Sequence, residues 1–230
     1  MIVKENHKDY LQFLIDLKKD FKIRESVNYA EIVRYDGKKI ISTKNNEFVK
    51  GLYIFAMVKK DIERYIAENG YVEPYDELPV NCYNDNFDIK KLKQNVVGMD
   101  IDNAYWSVAH LKGYISENTY KKGLEKKEFK PIRLSALSTL GKGKTYKVYK
   151  EGVYSHDELV KSNKELENFY LDIRYTTYGM LYEIANELGD DFYCWKTDAI
   201  FFLESKENKE LVKKRLYDYG LDCKIELLKL

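Results

Sequence analysis

The feature that most restricts the fold is a run of apolar, partly β-branched residues that ends on carboxylates, Val96-Val97-Gly98-Met99-Asp100-Ile101-Asp102. A run this short reads as a buried strand rather than a helix. A carboxylate at its end is costly to bury unless it is paired or binds a cation. If the strand continues to residue 102, side-chain alternation sets Asp100 and Asp102 on one face. The pattern recurs over residues 192–203, where Lys196-Thr197-Asp198 interrupts an aromatic and β-branched stretch, so two strands and a tight turn are expected. For one isolated Asp, a plain turn is the commoner reading. Two carboxylates at the edges of buried strands also meet the needs of Mg2+, which takes hard oxygen ligands and keeps water and phosphate in its other positions.

The rest of the chain mixes helices and strands without a strict βαβ rhythm. Residues 6–20 predict an amphipathic helix, with Leu11, Leu14, Ile15 and Leu17 on one face. Residues 29–35 and 39–43 are β-like around the turn signal Asp36-Gly37. A helix over about 47–67 stops before Gly70. Residues 71–92 hold Pro74, Pro79 and the polar run 84–88, and mark the expected boundary between an N-terminal α/β extension (1–92) and the main domain (93–230). Pro131 suits the first turn of a helix over 131–140, stopped by Gly141 and Gly143. A long helix is expected over 157–188, another over 208–219 closed by Gly220, and a last strand over 223–228. The fold expected is α+β, an antiparallel sheet with helices packed on one face.

Lys+Arg 39 against Asp+Glu 38 argues against a binder that holds nucleic acid by bulk positive charge, and leaves room for a local basic groove. Cys82, Cys194 and Cys223 are isolated and odd in number, so a reducing compartment is expected rather than a disulfide framework. The N-terminus lacks a signal-peptide core, and no run approaches the ~20 apolar residues of a membrane span. A soluble, cytoplasmic protein with no membrane partner is therefore expected. The 21 tyrosines can stack on bases or pack as core. Gly141-Lys142-Gly143-Lys144-Thr145 is no phosphate loop, because Ser138 stands where the motif needs glycine. His7, His110 and His156 show no metal-ligand spacing.

Three segments, in order, resemble the palm and finger motifs of family B DNA polymerases. The family's first motif is an Asp followed by Leu-Tyr-Pro-Ser; the stretch Asp100-Ile101-Asp102-Asn103-Ala104-Tyr105-Trp106-Ser107 retains Asp, Tyr and Ser. The second is a Lys followed four residues later by Asn-Ser-x-Tyr-Gly; here Arg133, Ser138 and Gly141 stand at the matching spacing. The third is Tyr-Gly-Asp-Thr-Asp-Ser, matched by Cys194-Trp195-Lys196-Thr197-Asp198-Ala199 before an apolar strand. The resemblance covers residues 96–230, with reduced fingers at about 108–142, and does not reach residues 1–95.

The resemblance implies a palm-like sheet and a minimal DNA-directed DNA polymerase of phage or mobile-element type, in a bacterial or phage-infected cell. Its partners would be a DNA primer-template, dNTPs and a processivity or priming protein. Asp100 and Asp198 would be catalytic and would bridge two Mg2+ or Mn2+ ions, with the Ile101 carbonyl as a further ligand and Asp102 as a candidate one. Tyr105 would pack under the incoming sugar, and Arg133, Ser138, Lys121 and Lys122 would face the triphosphate. Read alone, Tyr105 is a core aromatic, Arg133 a helix-surface charge, and Lys121 and Lys122 a solvated face. The chain departs from the family at Lys196, which replaces an Asp, and at Leu137 and Leu140, which replace Asn and Tyr. Asp102 is a candidate to offset Lys196 across the strands. Neither a family-type thumb nor exonuclease motifs are found. A template-independent nucleotidyltransferase or primase, and an inactive palm that binds nucleic acid or a replication partner, are the alternative readings.

Overall fold

Strand pairing between distant stretches organises this chain. The computed structural model describes residues 2–3, 7–25, 29–42, 50–75, 82–88 and 96–227. It divides into two compact units, residues 1–63 with 121–167 and residues 64–120 with 168–230. The expected boundary near residue 92 does not coincide with this division. The chain passes between units three times.

The first unit holds a six-stranded sheet of β1 (Ile2–Val3), β2 (Phe21–Glu25), β3 (Ala30–Arg34), β4 (Lys39–Ser42), β7 (Lys144–Lys150) and β8 (Val153–Val160). The spatial order is β1-β4-β3-β2-β7-β8, antiparallel except for the parallel β1/β4 pair. Helix α1 (His7–Asp16) lays Leu14, with the half-buried Leu11 and Ile15, against Phe21, Ile23, Ala30, Ile32 and Ile40. Each large aliphatic buried in this way contributes about 1.5–3 kcal/mol. Leu17 falls outside the expected apolar face because the helix stops at Asp16 and Lys18 takes a left-handed φ of 50°. Of the expected helix over 47–67, residues 47–49 lie outside the described ones, as does Thr43 at the end of the strand expected over 39–43.

The expected helix over 157–188 is corrected at its start. Residues 157–160 complete β8 by pairing with residues 144–147 of β7, and helix α6 runs over Lys164–Leu188. Local propensity across 157–160 is overridden by a long edge pairing.

The second unit holds a five-stranded antiparallel sheet of β5 (Cys82–Tyr83), β6 (Val96–Ile101), β9 (Phe192–Lys196), β10 (Ala199–Leu203) and β11 (Cys223–Leu227). Its order is β11-β6-β10-β9-β5. Register and alternation sort its side chains into two faces. Val97, Met99, Ile101, Trp195, Ile200 and Phe202 share one face and are all buried. Trp195 there meets Tyr182 of α6 edge to face, with ring centroids 6.2 Å apart. The opposite face carries Asp100, Lys196 and Lys224 beside the buried Val96, Cys194 and Ala199.

The remaining helices are α2 (Tyr53–Asn69), α3 (Ala104–Leu111), α4 (Glu117–Leu124), α5 (Lys130–Ser138) and α7 (Lys206–Asp218). Pro131 sits in the first turn of α5, as its fixed φ favours. Ser205 caps α7 by accepting a hydrogen bond from the Asn208 amide. No helix among the described residues is long and apolar enough to cross a membrane.

Candidate functional site

Strand β6 lies between β10 and β11, so Asp100 has a neighbour on each side. Lys224 of β11 and Ala199 of β10 are both in register with it, and Lys196 of β9 follows Ala199. This face thus carries a four-residue row, Lys224-Asp100-Ala199-Lys196. Lys224 Nζ lies 2.8 Å from Asp100 Oδ2, with the carboxylate side chain 17% and the lysine side chain 48% exposed. A pair this accessible is screened by solvent and contributes little to stability.

Asp198 occupies the two-residue turn between β9 and β10 with Thr197, whose φ of 58° is left-handed. The Ile101 amide donates to the Asp198 carbonyl at 2.9 Å. The hairpin turn is thereby fastened to the end of β6, and Asp100 and Asp198 stand at the same end of adjacent strands. Sequence spacing of nearly a hundred residues becomes one step of register.

Asp102 departs from its expected position. Strand β6 ends at Ile101, and residues 102–103 form a turn in which Asn103 is left-handed (φ 52°), so alternation does not set Asp102 beside Asp100. Its amide donates to the Asp222 carbonyl at 2.8 Å, on the β11 side of the sheet. Lys196 turns the other way: its ammonium lies 5.5 Å from the centroid of the Tyr83 ring on β5, and a hydrogen bond to Tyr83 raises its pKa. The Asp102 backbone and the Lys196 ammonium are therefore engaged on opposite sides of the Asp100 strand.

Tyr105 is 7% exposed and packs edge to face on Tyr170 of α6, with centroids 5.8 Å apart. Burial, and next a hydrogen bond with Tyr178, push its hydroxyl pKa well up. That position is the core reading the sequence allowed. Ser107 accounts for the Ser of the first motif differently: its hydroxyl donates to the Asp102 carbonyl at 3.3 Å and so tightens the turn.

Arg133 is 5% exposed in the first unit, and its Nη1 donates to the Gly123 carbonyl at 2.6 Å. Gly123 lies in the last turn of α4, where helix carbonyls lack intrahelical partners. The guanidinium serves that need rather than projecting into solvent as a helix-surface charge. Ser138, the last residue of α5, is half-buried. Lys121 and Lys122 are exposed on α4, and Lys122 Nζ lies 3.0 Å from Glu125 Oε2.

Among the described residues, no three His, Cys, Asp or Glu side chains gather as a metal-holding group. A Mg2+ site that draws on one or two carboxylates and on substrate phosphates needs no such trio. The donor chemistry of Asp100 and Asp198 fits it, with Lys224 as the competing cation. Lys224 had no sequence signal of its own, since only the β11/β6 register sets it on Asp100. Comparison with family models, curated proteins and solved structures gives no match for this chain.

Proposed function

We propose that the chain is a minimal DNA-directed DNA polymerase that adds deoxynucleotides to a primer 3′-hydroxyl. The observation that carries this reading is the placement of Asp100 and Asp198 at one end of adjacent strands, on a sheet whose other face buries Met99, Ile101 and Ile200. Bound divalent ions would lower the charge barrier to in-line attack on an α-phosphate. Asp100 and Asp198 would hold them, and Lys224 would release Asp100 and become free to meet phosphate. Tyr105 would act from within the core by supporting α3 rather than by touching the sugar directly.

Primer extension with Mg2+ or Mn2+ on a primed template tests this. Extension is expected from the wild-type chain, with a loss of about a hundredfold or more in Asp100→Ala and Asp198→Ala. No incorporation under either metal overturns it. Retained extension without template would instead favour a terminal transferase, and products without primer a priming enzyme.

A second reading, an inactive palm that binds nucleic acid or a replication partner, is favoured by the Lys224–Asp100 pair. Calorimetry separates the two: Mn2+ binding lost in Asp100→Ala supports the catalytic site, and no Mn2+ binding by the wild-type chain supports the inactive one.

A further inference from the structure

The second unit carries a cleft of about 370 Å3 where β5, β9 and the end of α6 meet the turn at Gly189–Asp191. That volume lies within the range of small-molecule sites, about 300–1,000 Å3. Its lining includes the rings of Tyr83 and Tyr182, which are 50% and 57% exposed. Trp195 also lines it, nearly perpendicular to Tyr182 at 89°. The Trp195 indole N–H is buried without a hydrogen-bond partner among the described residues. Asn186 and Asp190 add an exposed carboxamide and carboxylate. Among the described residues, no Lys or Arg lines the cleft. Lys196 stands beside it, with its ammonium 5.5 Å from the Tyr83 ring centroid.

These groups select a ligand by exclusion and by fit. A phosphate inside would meet Asp190 with no lining cation to offset it. A flat, uncharged ring would find aromatic faces for stacking. Its edge would find an acceptor in Asp190 and a donor and an acceptor in Asn186. A phosphate attached to such a ring would fall outside, where Lys196 supplies the charge. We infer that the cleft seats an unpaired nucleobase and that Lys196 takes the attached phosphate. The choice of ligand rests on the nucleic-acid reading above, and it gives the altered motif position Lys196 a task away from the carboxylates.

Fluorescence anisotropy with a labelled thymidine oligonucleotide about 12 nucleotides long tests the inference, in EDTA so that metal binding plays no part. Tyr83→Ala and Tyr182→Ala, both at half-exposed rings, are each expected to weaken binding at least about fivefold with unchanged thermal unfolding. An abasic strand of equal length is expected to bind correspondingly weaker, and Lys196→Gln to lower the salt slope by about one. Competition by dTMP would assign a free nucleotide as the natural source of the base, and failure to compete a strand; either supports a base site. Equal binding of the abasic strand, or tyrosine variants within about twofold of wild type, overturns it. Asp100→Ala should leave this binding intact, so a failed extension assay with retained tyrosine-dependent binding would refute only the polymerase reading.

Discussion

Asp172 is 2% exposed near the start of α6, and its carboxylate accepts hydrogen bonds from Tyr75 and, at 2.5 Å, from Tyr114. Lys112, which caps the C-terminal end of α3, brings Nζ to 3.1 Å from Oδ2. The cluster therefore ties α3 and the segment before residue 76 to α6 around one buried charge. Removing the acceptor leaves the buried Tyr114 hydroxyl without its partner, while Lys112, 37% exposed, and the half-buried Tyr75 can turn to water, so Asp172→Ala is expected to lose about 1–3 kcal/mol in urea unfolding. Tyr114→Phe, which leaves the other partners in place, should cost about 1–2 kcal/mol. A second buried tyrosine sets an alkaline limit. Tyr146 donates to Glu31 at 3.0 Å, and burial, with the nearby Glu31 charge, pushes its pKa up to about 12. The unfolded chain releases this proton near pH 10 and the folded chain near 12. Above pH 10 the folded state therefore binds more protons, and stability falls as pH rises, the contribution being complete below pH 10. Tyr146→Phe should flatten the decline between about pH 10 and 12, as read from urea midpoints across that range.

At the scale of elements, the turn after α5 shows how one glycine fixes a junction. Gly141 has a φ of +70°, and an added Cβ would lie 2.2 Å from the Asn163 carbonyl oxygen and 2.7 Å from the Glu167 amide nitrogen. Its carbonyl accepts from the Asn163 amide at 2.6 Å, which joins the start of α6 to the start of β7. Gly141→Ala combines left-handed strain with a backbone clash and should cost about 2–4 kcal/mol, measured by thermal unfolding. As a helix stop, Gly141 was legible from sequence; the close approach of residues 163 and 167 was not. The same junction explains the misplaced start of α6. Residues 157–160 are helix-compatible, yet Val153–Val160 as a whole forms seven register pairs with β7. Strands β6, β9 and β10 were legible as apolar runs bounded by turns, and β11 as an alternating segment after Gly220.

Across the second unit, the row Lys224-Asp100-Ala199-Lys196 is a property of four strands together. Lys224 holds the carboxylate that a divalent ion would use. Lys224→Gln should therefore tighten Mn2+ binding several-fold in calorimetry, while an unchanged affinity would show that the ammonium does not compete. The carboxylates themselves, their apolar flanks, the hairpin over residues 192–203 and the mixed α+β character were determined by the sequence, because period and turn chemistry act within a few residues. Tertiary structure alone decided the rest. Lys224 reached Asp100, the β6 end met the Asp198 turn, and Arg133 turned inward to a helix carbonyl. It also assembled each unit from two distant stretches of chain. The physical reason is range: strand register and buried polar partners are set between residues far apart in sequence, where local pattern carries no information.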